Sequence, residues 1–287
     1  MEAIVKEFKI QTANGDTVAV SKFFAKNPSK HTLVISSATG VLQKYYSKFA
    51  LFCANNGIIV YTFDYSGIGK SISSTEELKR HTGNLKNWGQ QDQAAIVSLA
   101  KKENPDTNLT LMTHSIGGQI LGFNPNYDLI DKVLMVASQG GYWNDFKGLH
   151  KLKMWLFWYF LIPVSTPIFG YLPTKKLGFF ENLPKNVVYE WATWGKKKEY
   201  MMQFENETYL FDEIKIPILS WSFPKDSYAP IKTVDWLVKQ YKNAQITRMH
   251  YPEEKQKQPG HFGFFKSEFK ELLWEQNLKW ILTNSLI

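Results

Sequence analysis

The sequence predicts an α/β fold: a mainly parallel sheet with an N-terminal antiparallel hairpin, helices on both faces, and an inserted, aromatic-rich cap. Two observations predict the sheet, since short, mostly apolar segments recur along the chain and segments with helical periodicity alternate with them. Apolar segments of this length are typical of strands covered on both faces. A third observation, a long segment that breaks the alternation, predicts the cap. The chain of 287 residues is therefore expected to form one large domain with an insertion.

The hairpin comes first, because residues 3–10 and 17–26 alternate apolar and polar side chains on either side of the turn sequence Asn14-Gly15-Asp16. Buried strands are then predicted at residues 31–36, 57–63, 109–113, 132–137, 216–222 and 245–251. Helices are predicted near residues 43–55, 88–103, 115–122, 230–241 and 266–283. This alternation of strand and helix makes the sheet mainly parallel.

The predicted cap does not follow the alternation. Its most apolar part, Met154 to Leu172, has no charged side chain and is nearly long enough to cross a bilayer. Pro163, Pro167 and Gly170 are expected to break a helix there, so a transmembrane helix is disfavoured. Of the two remaining possibilities, a lid over a pocket is favoured over a membrane-surface contact. Lysines flank this part at Lys151, Lys153, Lys175 and Lys176. The predicted division is a core of residues 1–141 and 213–287 and a cap of residues 142–212.

Composition excludes several classes of function. The 44% of hydrophobic residues suffices for a core, and a single cysteine, Cys53, excludes an intrachain disulfide. The first residues lack the apolar stretch and cleavage site of a signal peptide, so a cytoplasmic location is expected. The net charge of +8 is interpreted as a solubilising surface rather than a nucleic-acid site, because the sequence has no zinc-binding, Walker or RNA-binding signature. Neither a metal nor a cofactor is predicted.

A candidate nucleophile lies where an apolar strand meets a helix, in Thr113-His114-Ser115-Ile116-Gly117. The spacing is that of a nucleophile elbow, a sharp strand-to-helix turn that exposes the serine hydroxyl above the sheet. Small residues two positions before and after Ser115 keep the turn clear of neighbouring backbone, and Thr113 stands where glycine is usual. The Ile116 N–H, at the start of the helix, is predicted to donate to the oxyanion of a tetrahedral intermediate.

A second oxyanion donor is expected from the loop after the third strand, Ser36-Ser37-Ala38-Thr39-Gly40. Its small residues permit a close approach of backbone to substrate. The Ala38 N–H is the preferred candidate, and the Thr39 N–H is the alternative.

A serine nucleophile needs a base that is oriented by an acid, and in this kind of fold the chain order is Ser, Asp, His. Asp226 follows the apolar strand at 216–222 and is predicted to be the acid. His261 lies on a glycine-flanked loop before the last helix and is the preferred base. His250 lies in or at the end of its strand, so a structural role is the better interpretation.

Together these residues resemble the α/β-hydrolase superfamily, and more narrowly a bacterial group of predicted α/β-hydrolases related to serine aminopeptidases and monoacylglycerol lipases. The resemblance implies the α/β-hydrolase fold and a triad of Ser115, Asp226 and His261, but no settled substrate. Lys225 stands where many relatives have a second acid. The similar segments span nearly the whole chain and include Phe63-Asp64-Tyr65, Trp88-Gly89, His114-Ser115-Ile116-Gly117-Gly118, Ser138-Gln139-Gly140-Gly141 and Gly260-His261-Phe262-Gly263.

The predicted activity is cleavage of an ester-like acyl bond in a small, largely apolar molecule. An esterase or lipase is favoured over a peptidase, because nothing in the sequence marks a site for a free amino terminus. The contrasting hypothesis is a small-ligand-binding protein with little or no turnover, which the complete Ser, Asp, His set disfavours. No nucleic-acid partner is expected, and a weak contact of the cap with a membrane surface stays open. Tryptophans of the cap region are predicted to line an apolar pocket: Trp143, Trp155, Trp158, Trp191 and Trp194.

Overall fold

The structure is a computed structural model, and it describes residues 4–25, 27–176, 178, 180–204 and 208–286. Its strands are β1 (Ile4–Gln11), β2 (Thr17–Phe24), β3 (His31–Ser36), β4 (Ile59–Asp64), β5 (Asn108–His114), β6 (Lys132–Val136), β7 (Tyr171–Leu172), β8 (Leu183–Pro184), β9 (Pro217–Ser222) and β10 (Gln245–His250).

Eight of these strands form one sheet in the spatial order β1-β2-β4-β3-β5-β6-β9-β10. The pairs β1–β2 and β2–β4 are antiparallel, and every other neighbouring pair is parallel. The prediction of a mainly parallel sheet with an N-terminal antiparallel hairpin is confirmed. β7 and β8 form a separate antiparallel pair.

Helices cover both faces of the large sheet. Successive strand residues point to opposite faces, so Leu111 of β5 packs in a cluster with Trp88 and Ile96, whereas Met112 packs in another with Phe49 and Trp274. The α-helices are α1 (Ser47–Asn55), α2 (Thr75–Arg80), α3 (Leu85–Asn87), α4 (Ala94–Glu103), α5 (Ile116–Ile120), α6 (Gly148–Leu156), α7 (Ile162–Phe169), α8 (Lys185–Gly195), α9 (Ile231–Val238) and α10 (Glu275–Thr283). Wider π-helical turns occupy Trp88–Gln93, Phe157–Leu161 and Lys270–Trp274.

The predicted cap, residues 142–212, lies between β6 and β9 and contributes no strand to the eight-stranded sheet within its described residues. It contains α6, α7, the β7–β8 pair and α8. Trp158, Val187 and Trp194 of this segment belong to the same buried cluster as Trp88 beside the sheet. The segment is therefore fixed to the core by shared apolar packing.

The helix break expected at Pro163 and Pro167 is wrong. α6, the π-turn and α7 form one continuous helix of 22 residues, Gly148–Phe169, which is long and apolar enough to cross a membrane by length and composition alone. Pro163 is tolerated because it falls in the first turn of α7, directly after the π-turn, where the regular hydrogen-bond ladder is already interrupted. The helix ends at Gly170, whose φ of 77° is left-handed.

The parallel strands place the loops that follow their carboxyl ends at one edge of the sheet. In the sheet register Ser36 at the end of β3 lies opposite Thr113, and His114 at the end of β5 lies opposite Val136 at the end of β6. In such sheets, ligands bind beyond the carboxyl ends of the strands. The loops that follow β3, β5, β6, β9 and β10 therefore define the candidate site.

Candidate active site

Ser115 lies in a strained turn between β5 and α5. Its φ of 54° is one that residues with a side chain rarely adopt. The Ser115 N–H donates to the Val136 carbonyl at 3.1 Å, which ties the turn to β6. Gly117 cannot be larger, because a Cβ there would lie 2.8 Å from the Ser36 carbonyl oxygen. The backbone thus fixes the serine, and 7% of its surface is exposed.

Thr113, at the position where glycine is usual, fits because it has a polar partner. Its hydroxyl lies 3.0 Å from the hydroxyl of Ser138, just beyond β6, and both residues are fully buried. The Thr113 hydroxyl therefore has a hydrogen-bond partner, and the side chain, although larger than that of glycine, leaves the turn intact.

Asp226 and His261 meet on the loops after β9 and β10. The Asp226 Oδ2 and the His261 Nδ1 are 2.9 Å apart, and the side chains are 0% and 5% exposed. The other carboxylate oxygen, Oδ1, accepts the N–H groups of Tyr228 and Ala229 at 2.9 and 2.8 Å. Because Nδ1 is engaged with the acid, Nε2 is the histidine nitrogen left for proton transfer.

His250 is placed elsewhere. It lies at the end of β10, where its Nδ1 is 2.6 Å from the Ser222 hydroxyl and its Nε2 is 4.0 Å from Glu253. Burial and the nearby Arg248 lower the pKa of His250. Of the two candidate histidines, the structure brings His261 to Asp226.

The Ser115 hydroxyl has a partner that the sequence analysis did not assign. Its Oγ lies 3.4 Å from Oε1 and 3.3 Å from Nε2 of Gln139. Gln139 Nε2 is also 3.3 Å from the Tyr228 carbonyl oxygen, to which it donates. Within the described chain this amide, rather than His261, lies within hydrogen-bonding distance of the serine. Gln139 thus links the serine to the loop that carries Asp226.

The two expected oxyanion donors differ in their availability. The Ala38 N–H donates to the Tyr46 hydroxyl at 2.8 Å, so the preference for Ala38 is wrong. Throughout the described residues, the N–H groups of Thr39 and Ile116 make no hydrogen bond within the protein. Thr39, the alternative, and Ile116 are therefore the two amides free to receive an oxyanion.

Tyr46 and His114 form a buried chain of hydrogen bonds behind these amides. The Tyr46 hydroxyl is 2.9 Å from His114 Nδ1, and His114 Nε2 is 2.9 Å from the carbonyl oxygen of His261. Burial and the neighbouring His261 hold the pKa of His114 well below its usual value, so its ring is neutral. A carbonyl only accepts, so His114 carries its proton on Nε2 and the Tyr46 hydroxyl donates to Nδ1. The chain therefore connects the Ala38 amide to the backbone of His261.

Sequence reasoning missed Gln139, Tyr46 and the role of His114. A usable signal existed for Gln139, since it follows the strand next to β5, and the ends of neighbouring parallel strands lie together. Tyr46 has no such signal, because it reaches the site from the turn before α1.

The tryptophans expected to line a pocket are placed differently. Trp158 is fully buried, donates to the Gly141 carbonyl, and packs at 4.9 Å between ring centres against Trp191. Trp194 is 2% exposed and stacks on Phe123. For Trp158 and Trp194 the pocket prediction is therefore wrong, because both are packing residues closed off from solvent. Trp155 stacks on Tyr159 and contacts Phe160 at a tilt along the long helix, and Trp143 lies beneath the ammonium group of Lys151.

A cleft of about 1000 Å³ opens beside the candidate site, and none of these tryptophans lines it. It adjoins the loop after β3 at Gly40 and the neighbour of His261 at Phe262. Its charged lining residues are Lys44, Lys48, Lys175, Lys266, Glu181 and Glu268, and its aromatic ones are Tyr45, Phe180, Phe262 and Phe265. The cleft thus combines apolar walls with an excess of positive charge.

Known proteins resemble this chain in sequence and in fold. A family described as serine aminopeptidase, S33, matches residues 27–159, which include Ser115. No curated protein matches the chain. Similar solved structures include a thermostable carboxyl esterase from Bacillus coagulans (TM-score 0.68, 12% identity, 99% of both chains covered). Others are an α/β hydrolase fold protein from Chitinophaga pinensis (0.61, 18%, 98% of both) and an esterase from Pyrococcus furiosus (0.59, 14%, 99% of this chain and 94% of that one).

At these identities the solved structures show the fold, and the family match supports a hydrolase type of activity. The resemblance seen in the sequence is confirmed at the level of the superfamily, whereas the narrower bacterial group stays a prediction. With its sheet order and its strained serine turn, the chain has the fold of the α/β-hydrolase superfamily.

Proposed function

We propose that this protein is a serine hydrolase that cleaves an ester-like acyl bond through Ser115, His261 and Asp226. The observation that carries the proposal is the buried 2.9 Å contact between His261 Nδ1 and Asp226 Oδ2, on loops at the same sheet edge as the strained serine. An imidazole oriented in this way presents Nε2 as a base, which a serine needs in order to act as a nucleophile.

In the proposed reaction the Ser115 hydroxyl gives up its contact with Gln139 and forms a hydrogen bond to His261 Nε2. The two contacts with Gln139 are long, 3.3 and 3.4 Å, and catalytic hydrogen bonds commonly tighten only when substrate is bound. Ser115 attacks the carbonyl carbon as Nε2 takes its proton, and the Ile116 and Thr39 amides stabilise the oxyanion. The tetrahedral intermediate collapses as Nε2 returns the proton to the leaving group, and water repeats the sequence on the acyl-enzyme.

The residues that line the cleft favour an acyl substrate over a peptide with a free amino terminus. Its aromatic walls suit an apolar chain, since each buried CH₂ contributes about 0.8 kcal/mol. A free ammonium group would meet the lysines Lys44, Lys48 and Lys266, for which no carboxylate partner is present within the described chain. Esterase activity is therefore proposed ahead of aminopeptidase activity.

The test combines active-site labelling with ester turnover. A fluorophosphonate is expected to form one adduct, at Ser115, and Ser115→Ala is expected to abolish both labelling and hydrolysis of p-nitrophenyl esters. Asp226→Asn should keep the fold and lower kcat by about 10⁴-fold, as the same change does in the chymotrypsin-type triad. His250→Ala, the matched histidine control, should leave turnover near that of the wild type.

Labelling and turnover that persist in Ser115→Ala would overturn the nucleophile. A wild-type protein that binds esters but neither reacts with the fluorophosphonate nor turns them over would favour the small-ligand-binding hypothesis. Catalytic efficiency should rise from acetate to octanoate esters, and a flat profile would argue against an apolar acyl pocket.

A further inference from the structure

The long helix Gly148–Phe169 exposes a continuous apolar surface. Side chains spaced three or four residues apart lie on one side of a helix, and a set of them here is exposed to solvent. These residues, which we call the apolar ridge, are Leu149 (74% exposed), Leu152 (51%), Leu156 (43%), Phe160 (51%), Val164 (57%) and Ile168 (71%). Large contiguous apolar patches on a protein surface mark interaction sites.

The ridge is held in this orientation by the opposite side of the same helix. Trp158, Ile162 and Thr166 are fully buried, and Trp158 packs so tightly on Gly195 that a Cβ there would lie 2.4 Å from the indole ring. The helix cannot rotate to cover the ridge without pulling these side chains out of the core. The ridge is thus a fixed outer surface of the protein.

Lysines lie on the helix that carries the ridge and next to it. Lys147 precedes the helix, and Lys151 and Lys153 lie in its first turns, while Lys176 and Lys196 reach aromatic rings of the helix from neighbouring segments. The Lys176 ammonium lies 5.3 Å from the centre of the Phe169 ring, and that of Lys196 lies 5.1 Å from the Tyr159 ring. Over the described part of the chain, none of these lysines is within 4.0 Å of a carboxylate. Their charges are therefore available to an external anion.

Two other arrangements fit this surface less well. A transmembrane helix would have to pull Trp158 and Ile162, which are fully buried, out of the core. A two-fold contact with a second copy would bring these lysines of both copies together without neutralising them. A bilayer with anionic headgroups offers an apolar boundary for the ridge and negative charges for the lysines.

We propose that the apolar ridge docks the protein on the surface of membranes that contain anionic lipid. The ridge side chains enter the boundary between headgroups and acyl chains, and the lysines extend to the lipid phosphates with their apolar stems along the helix. This docking is independent of the proposed catalysis, since no ridge residue belongs to the candidate active site.

The experiment measures co-sedimentation of the full chain with vesicles of phosphatidylcholine, with and without phosphatidylglycerol. Binding is expected to be strong only with the anionic lipid and to fall as salt is raised. The double variant Phe160→Ser, Ile168→Ser should weaken partitioning by more than about tenfold, since each change removes a large apolar side chain from the interface. Lys153→Glu with Lys176→Glu should weaken binding to anionic vesicles alone.

Matched controls lie away from the ridge: Leu272→Ser, at a side chain 40% exposed, and Lys102→Glu, at an exposed lysine in α4, should bind as the wild type does. Thermal melting of each variant verifies that it is folded. Equal binding of wild type and ridge variant would overturn the proposal, as would equal binding to neutral and anionic vesicles. A dimer that the ridge variant abolishes, without any vesicle binding, would overturn it in favour of self-association.

Discussion

The Tyr46 hydroxyl contacts two buried groups, the Ala38 amide and the His114 ring. It accepts the Ala38 N–H and donates to His114, so Tyr46→Phe leaves an amide and a ring nitrogen unpaired inside the protein. Such a loss costs about 1–3 kcal/mol. Because the freed Ala38 amide lies next to the proposed oxyanion donor, the Thr39 N–H, we expect kcat to fall by about ten- to a hundredfold with little change in KM.

The matched control is Tyr251→Phe. The Tyr251 hydroxyl is buried and has no hydrogen-bond partner among the described residues, so its removal should leave kcat and KM unchanged. Steady-state kinetics on a p-nitrophenyl ester, with melting curves for both variants, distinguishes the two positions. A Tyr46→Phe enzyme with normal kcat would show that the chain of hydrogen bonds does not position the site.

Asp92 gives the stability of the protein a distinct pH dependence. Its Oδ2 accepts the N–H and hydroxyl of Ser66, each at 2.8 Å, while burial raises its pKa from 3.8 to about 7. Below pH 4 both folded and unfolded chains hold the proton. Between pH 4 and 7 the unfolded carboxyl ionises while the folded one stays neutral, so the contribution of Asp92 to stability falls as pH rises, and it levels off above 7.

The Asp92→Asn variant lacks this titration. The difference in melting temperature between Asp92→Asn and wild type should therefore shift in favour of the variant from pH 5 to pH 8, as measured by calorimetry at several pH values. A difference that stays constant over this range would mean that Asp92 does not titrate in it.

At the residue scale, the sequence was a better guide to the side chains of the proposed chemistry than to the backbone groups that assist them. Ser115, Asp226 and His261 are recognisable from residue type and chain order. The preference for Ala38 over Thr39 failed, because the choice depends on Tyr46, a side chain that approaches from another element. Such contacts between elements leave no trace in local sequence.

At the element scale, the π-turn Trp88–Gln93 shows how closely elements pack behind the serine. A Cβ on Gly89 would lie 2.2 Å from the Ile120 carbonyl oxygen at the end of α5, which is backbone and cannot move aside. Gly89→Ala should therefore lower the free energy of unfolding by about 3 kcal/mol despite alanine's better helix propensity.

Urea denaturation measures this loss against Ser98→Ala, at an exposed position in α4, which should change stability by less than about 0.5 kcal/mol. Equal midpoints for the two variants would show that the contact between the π-turn and α5 is looser than described.

The elements themselves were largely predictable, since apolar strand segments and helical periodicity located every strand of the eight-stranded sheet within a few residues. The long helix was not, because Pro163 and Pro167 are locally unfavourable in a helix. The π-turn Phe157–Leu161 accommodates Pro163. Neither residue type nor helical periodicity predicts a π-turn from the sequence.

At the scale of the whole molecule, the site is assembled by strand order. Ser115 and His261 are far apart along the chain, and they share one sheet edge because β5, β6, β9 and β10 are consecutive and parallel. Predicting alternation of strands and helices was enough to place these loops together. The positions of individual cap side chains, including Trp158 and Trp194, depend on packing against the core and could not be read from composition.

The backbone of Ser115 links activity to thermal tolerance. A side chain held at a φ of 54° costs about 1–3 kcal/mol, and only glycine escapes this cost. Ser115→Gly and Ser115→Ala should both be inactive, yet the glycine variant should unfold a few degrees higher than the alanine variant, which retains the unfavourable geometry. Differential scanning calorimetry of the two inactive proteins tests this, and a lower melting point for Ser115→Gly would show that the turn is relaxed. If the difference is found, selection for turnover has kept this chain less heat-resistant than its fold allows.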